Sequence, residues 1–259
     1  DLFVVVWDGD GGSNRRRQQN KNYKLGRKPP KLNRWSQSMN PAEIHTNKIW
    51  QQVRCIEYVN QTPIIQFRQP GVEADDVIAY IKSLPVFQEW QKVVVSSDKD
   101  FIQLLDDRTL LLRPTQDQIL NTKRVVEEHS IHPCNFALAR SLVGDKSDNI
   151  EGLSGVGLKT VAKAFPFLSD DVDYYLEDIK RHSVEQESRL SVYDKVVEGY
   201  GKICDNYSIM QLSTPLISVR CATDIQTTFE EYCPTFNKTE INKMMSVDGM
   251  VSLNIDCLK

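Results

Sequence analysis

Eight acidic residues in four short stretches could do chemistry together: Asp8, then Glu73 with Asp75 and Asp76, then Asp98 with Asp100, then Asp145 and Asp148 three apart. Carboxylate oxygens are the hard ligands that Mg²⁺ prefers. Held close together without cations they would repel one another and their pKa values would rise. Two Mg²⁺ ions roughly 3.5–4 Å apart would resolve that repulsion and would supply phosphodiester hydrolysis with an activated water and a stabilised leaving oxygen. Each acid also has a plainer explanation. Asp8 precedes Gly9 as turn aspartates do, Asp98 could cap a helix, and acids in a first helical turn are favoured by the helix dipole. The dipole accounts comfortably for one of Glu73, Asp75 and Asp76, and less well for all three. No Ser/His/Asp arrangement and no phosphate-binding P-loop competes, and His45, His129, His132 and His182 are scattered with no partner that would make one a general base.

The second chemical signal adjoins the last acid pair. Gly152-Leu-Ser-Gly-Val-Gly157 runs into Leu158-Lys159, a glycine-punctuated helix start. Glycines there leave backbone N–H groups free to meet a phosphate, helped by the positive end of the helix dipole. The alternative is a surface loop before an ordinary helix.

The surrounding pattern predicts the elements that must position these groups. Phe3–Trp7 and Lys92–Ser97 are apolar runs of strand-forming residues, as in buried parallel strands, with Asp8 and Asp98–Asp100 at their carboxyl ends, where open α/β sheets gather ligands. Shorter strands are expected at Pro63–Phe67 and Thr109–Arg113. Helices are expected over Pro41–Tyr58 after an Asn40 cap, over Gly71–Ile81, Lys123–His129 and Asn135–Val143, and then over Lys159–Phe165, Asp171–His182 and Ser188–Asn206. Smaller ones follow near Ile225–Tyr232 and Glu240–Ser246. The reading is an α/β fold with a boundary near residue 143 and a mainly helical second half.

With 259 residues the chain can bury a good core, as one domain or two. Net charge is −3, but residues 11–54 hold eleven Lys or Arg and one acid, Glu43, so this stretch carries +10 and the remainder −13. A basic lobe facing an acidic pocket suits an enzyme that holds a polyanion and cuts it with metal ions. Tyr23 and Trp35 interleave with the charges and could stack on bases. No apolar run reaches the roughly 20 residues of a membrane span. The six cysteines form no C-x-x-C pair and have no histidine cluster nearby, so neither a zinc site nor a disulfide framework is signalled, and they read as reduced thiols of a cytoplasmic protein.

Taken in order, Val6-Trp-Asp-Gly9, Tyr23-Lys-Leu-Gly-Arg27, Gly71-Val-Glu-Ala-Asp-Asp76, Ser96-Ser-Asp-Lys-Asp100, Gly144-Asp-Lys-Ser-Asp-Asn149 and Gly152–Gly157 resemble the 5′-nuclease superfamily of flap endonucleases and 5′→3′ exonucleases. The likeness covers residues 3–165 and is strongest to the bacteriophage branch that includes the T4-type ribonuclease H. It implies a mainly parallel central sheet flanked by helices, a PIN-like nuclease core over 1–143 with a basic arch at about 11–54, and a helical region over 144–259 containing a helix–three-turn–helix. It implies that the eight acids hold two Mg²⁺ ions, replaceable by Mn²⁺, with Asp8, Glu73 and Asp75 nearer one and Asp145 and Asp148 nearer the other. Lys24 and Arg27 then match basic residues that steer the scissile phosphate. Arg15, Arg16, Tyr23, Gly152, Gly155, Gly157 and Lys159 complete the expected DNA contacts, with K⁺ at the glycine turn. The implied substrate is duplex DNA or RNA/DNA with a 5′ flap or nick, cut by a monomer during primer removal alongside replication proteins. One departure stands out: the family has an earlier strand with a further metal-binding aspartate, and this chain starts at the position of the second. A junction-binding module without cleavage is therefore the alternative, and a PIN-type ribonuclease, which lacks the glycine turn, ranks lower.

Overall fold

The computed structural model describes residues 1–26, 40–186, 190–250 and 255. Residues 1–8, 40–69, 218–250 and 255 form one compact unit, and residues 9–26, 70–186 and 190–217 form the other.

In the first unit, β1 (Phe3–Trp7) pairs in parallel with β2 (Ile64–Arg68), Phe3 opposite Ile64 and Trp7 opposite Arg68. Trp7 donates its indole N–H to Gln66 at 2.8 Å. The connection between the strands includes the helix α2 (Pro41–Val59), which starts as its sequence directs. Asn40 accepts from the Glu43 backbone, the Glu43 side chain accepts from the Asn40 backbone, and Pro41 occupies the first turn. The helices Val219–Glu230 and Lys238–Val247 close the unit. Phe229 packs on Phe67, and Arg54 and Tyr58 both bind Asp248.

The second unit holds most of the acids. After a short helix, α1 (Asn14–Gln19), come α3 (Ala74–Ser83) and a sheet of β3 (Lys92–Val95), β4 (Thr109–Arg113) and β5 (Gln118–Leu120). β3 and β4 are parallel, β4 and β5 antiparallel. The helices α4 (Thr122–His129) and α5 (Phe136–Val143) lead to a two-stranded antiparallel hairpin, β6 (Gly144–Asp145) and β7 (Ile150–Glu151). The helices α6 (Leu158–Ala164), α7 (Leu176–Glu185), α8 (Ser191–Glu198) and α9 (Tyr200–Met210) follow. One hydrophobic core runs from Ala79 through Leu111, Phe136, Leu142 and Phe165 to Ile203 and Leu212.

That shared core replaces the expected boundary near residue 143: the helical segment up to residue 217 belongs to the same unit as α3 and the β3–β5 sheet. The strands likewise pair in three separate small sheets among the described residues. β3 was expected to be buried throughout, yet Val93 and Val95 are exposed, so this strand alternates. The helix expected over 188–206 is two, divided at Gly199, where a β-carbon would sit 2.6 Å from the Leu153 side chain. The helix expected from Asp171 begins only at Leu176, because Asn135 holds residues 168–174 in a loop.

Candidate metal and nucleic-acid site

Glu73 has extended backbone at the start of α3, so its side chain leaves the helix while Asp75 and Asp76 stand in the first turn. Asp98 and Asp100 occupy the crossover after β3; the Asp98 carboxylate accepts from the Asp100 backbone, and a 3-10 turn, Asp100–Leu104, follows instead of the expected α-helix. Asp145 ends β6 and Asp148 lies in the hairpin turn. Three chain segments thus bring seven acids into the second unit, and the acids of one segment raise or lower the pKa values of the others. Burial, with Asp98 and Glu73 adding repulsion that Lys24 only partly offsets, pushes Asp75 up to about 7. Burial, with Asp98, Asp145 and Asp148 against Arg140, pushes Asp100 up to about 6. For Asp145 burial is outweighed by hydrogen bonds from Ser147 and the charge of Arg140, and its pKa falls. A small cavity is lined by Asp75, Asp100, Asp148, Arg16 and Tyr23 over a floor of Ile150, Ile209, Met210 and Leu212.

Three cations touch the cluster. Arg16, only 3% exposed, donates to Glu73 at 2.6 Å, to both oxygens of Asp76 at 2.7 and 3.2 Å, and to the Ile209 carbonyl at 2.8 Å. Burial opposes its charge, and the paired Asp76 and Glu73 more than restore it, so its pKa is raised. Lys24 reaches Glu73 at 2.8 Å. Arg140, from α5, bridges Asp100 at 3.3 Å and Asp145 at 2.5 Å.

Lys24 is held in an unusual way. Its φ of +55° is uncommon for a side chain of its size. Its N–H donates to the Asp148 carbonyl, while Asn149, itself at φ +57°, donates to the carbonyls of Asn22 and Leu25. The hairpin turn carrying Asp148 and the turn carrying Lys24 therefore fix each other, an arrangement in which local strain serves placement.

The sequence-predicted residues sort as follows. Glu73, Asp75, Asp76, Asp98, Asp100, Asp145, Asp148 and Lys24 come together. Asp8 follows β1 in the other unit, and Arg27 and Trp35 lie outside the described residues. Arg16 and Tyr23, expected to face DNA, are buried: Tyr23 is 4% exposed and donates its hydroxyl to Glu73 at 3.1 Å. Both serve the acids instead. Arg15 is exposed and bonded to the Leu216 carbonyl. Gly152, expected in a phosphate cradle, has another duty: a β-carbon there would lie 2.0 Å from the Val143 carbonyl oxygen, so it permits a backbone crossing. Gly157 has open space, and Gly155 has only the Lys195 ammonium at 3.7 Å. Arg140 was missed. Its signal was an arginine in an otherwise small and apolar α5, Phe-Ala-Leu-Ala-Arg-Ser-Leu-Val, five residues before Asp145.

Among solved structures the chain is similar to the flap endonuclease D15 of bacteriophage T5 in a pseudo-enzyme–product complex with DNA and metal ions, with a TM-score of 0.67 at 18% identity, covering 95% of this chain and 84% of that one. A second T5 structure, crystallised with metal ions, gives a TM-score of 0.66 at 18% identity and covers 82% of that chain. The fold is that of the 5′ nucleases. The chain belongs to the 5′-3′ exonuclease family: residues 1–130 match the model of its N-terminal resolvase-like domain. It is 38% identical over 91 residues to a 5′-3′ exonuclease of Aquifex aeolicus and 30% identical over 163 residues to the thermostable DNA polymerase I of Thermus aquaticus, which are 35% and 63% of this chain. It spans about a third of the length of the first and about a fifth of the second.

Proposed function

We propose that this chain is a structure-specific, metal-dependent 5′ nuclease that hydrolyses phosphodiester bonds near 5′ flaps, nicks or RNA-primed ends. The observation that carries the reading is the convergence of seven carboxylates, whose crowding and burial push Asp75 and Asp100 up to about 7 and about 6. A cation among them relieves that repulsion, and the donors are all oxygen, as Mg²⁺ or Mn²⁺ requires. Asp75, Asp98, Asp100, Asp145 and Asp148 are the residues of the second unit that would hold such ions. Bound divalent ions supply an activated water and neutralise charge on the leaving oxygen.

The remaining work falls to the protein's own groups. Lys24, fixed by Asp148 and Glu73, places an ammonium at the edge of the carboxylates, where it can neutralise a phosphate oxygen. Arg16 and Tyr23 lock Glu73 and Asp76 from behind, so the carboxylates keep their places when charge changes in front of them. The basic stretch with Arg15 and Arg27 holds the single-stranded end. The turn at Gly155 and Gly157, with the exposed Lys159, meets duplex backbone as part of a helix–three-turn–helix and is where K⁺ would sit. Phosphate contacts of this kind read shape and charge, which suits selection of a junction over a base sequence.

Cleavage of a 5′-labelled flap duplex with Mg²⁺ and with chelator, beside a gel shift on the same DNA, tests the reading. Mg²⁺-dependent product near the junction is expected, reduced at least 100-fold in Asp145→Asn while the shift persists. A shift without product under every divalent metal would leave a binding module.

A further inference from the structure

A second group of metal-ligating side chains stands apart in chemistry from the carboxylate site. His132 and Cys134 flank Pro133 at the start of a 3-10 turn, Pro133–Asn135, and the histidine Nδ1 lies 2.9 Å from the cysteine Sγ. Asp171, thirty-seven residues on from Cys134, reaches the same histidine with Oδ1 3.5 Å from Nε2. One ligand atom from each of the three lies within 4.8 Å of the others.

The scaffold that brings them together is built for the purpose. Asn135 is fully buried, and its amide donates to the carbonyls of Leu168, Asp170 and Val172, while its carbonyl oxygen accepts from Tyr174 N–H at 3.1 Å. The His132 N–H donates to the Leu168 carbonyl at 2.7 Å. One asparagine thus spends all its capacity pinning the 168–174 loop against the 132–135 turn. That is why α7 starts late, and why Asp171 and Asp173 stand beside the imidazole and the thiol. The Cys134 Sγ also lies 3.6 Å from the Val172 carbonyl and hydrogen-bonds the Asp173 side chain.

We propose that His132, Cys134 and Asp171 bind one Zn²⁺ ion, with Asp173 or water as the fourth ligand, clasping the 168–174 loop to the turn before α5. An imidazole, a thiolate and a carboxylate are the donor set of zinc and not of magnesium; Cys134 and Asp171 approach opposite ring nitrogens, so the ion would take one nitrogen and draw the other ligand round to it. The site is chemically separate from the nuclease ions, whose ligands are all oxygen.

The metal-stripped chain titrated with Co²⁺ tests this, because a thiolate on Co²⁺ gives a near-ultraviolet charge-transfer absorption that carboxylates cannot. One equivalent of Co²⁺ should produce the band, Zn²⁺ should displace it, and Cys134→Ser should abolish it. Asp171→Asn changes an exposed side chain and spares the core; it should weaken Co²⁺ at least tenfold, as should His132→Gln. Asp75→Asn, in the carboxylate site, should leave the band intact. Absence of the band at stoichiometric Co²⁺, its persistence in Cys134→Ser, or unchanged affinity in Asp171→Asn would overturn the assignment.

Discussion

At the scale of single residues, Arg16 decides whether the acid cluster can exist. Its guanidinium is buried with Glu73 and Asp76, so removing it strips Asp76 of its ion pair in a dry site and leaves Glu73 to Lys24. Arg16→Met should cost about 3–5 kcal/mol of unfolding free energy, read by urea titration in chelator; a loss below 1 kcal/mol would mean that the acids are solvated. The carboxylates in front of Arg16 predict a pH dependence. Asp75 and Asp100 have folded pKa values of about 7 and about 6, above their ordinary 3.8. Between about pH 4 and 7 the folded state therefore binds more protons than the unfolded state, and stability falls as pH rises. In chelator, the melting temperature should drop by several degrees between pH 5 and pH 7.5, corresponding to roughly 1–3 kcal/mol, and divalent cations should remove the drop. A flat profile in chelator would show that the two acids are not buried against their neighbours. The acids themselves were legible from the sequence, because paired carboxylates at strand ends have few other purposes. Their counter-ions were not. Arg16 and Tyr23 look like any members of a basic, aromatic stretch until the fold turns them inward, and Arg140 reads as one polar residue on an apolar helix.

At the scale of elements, the β6–β7 hairpin is where sequence and geometry diverge most usefully. The glycines from Gly144 to Gly157 look alike in sequence, yet they do different things. Gly144, at φ +76°, and Gly152 let two backbone stretches pass at a distance no β-carbon could share, whereas Gly157 faces open space. Gly152→Ala should destabilise by about 2–3 kcal/mol, while Gly157→Ala should stay within about 0.5 kcal/mol; equal effects, measured by thermal unfolding, would contradict this division. Most helices and longer strands were readable from caps and apolar periodicity, as with the capping box at Asn40 and Glu43. The failures share a cause in long-range contact. Asn135 unwinds the expected start of α7, and Leu153 packing on Gly199 splits a predicted helix in two; neither partner is near in sequence.

At the scale of the whole molecule, the proposed function gives the uneven charge along the chain a physical meaning: the acids gather where divalent cations would bind, and a basic stretch precedes them in sequence. Fold class and family were legible because six motifs recur in order; the division into two units was not, since the helices Val219–Glu230 and Lys238–Val247 join strands from far earlier in the chain. The central claim is that the carboxylate cluster is a two-ion site. Counting bound Mn²⁺ by electron paramagnetic resonance in the intact chain tests it most directly. Two ions per chain are predicted, falling to one or none in Asp75→Asn. No stoichiometric Mn²⁺, or two ions retained in that variant, would contradict the account.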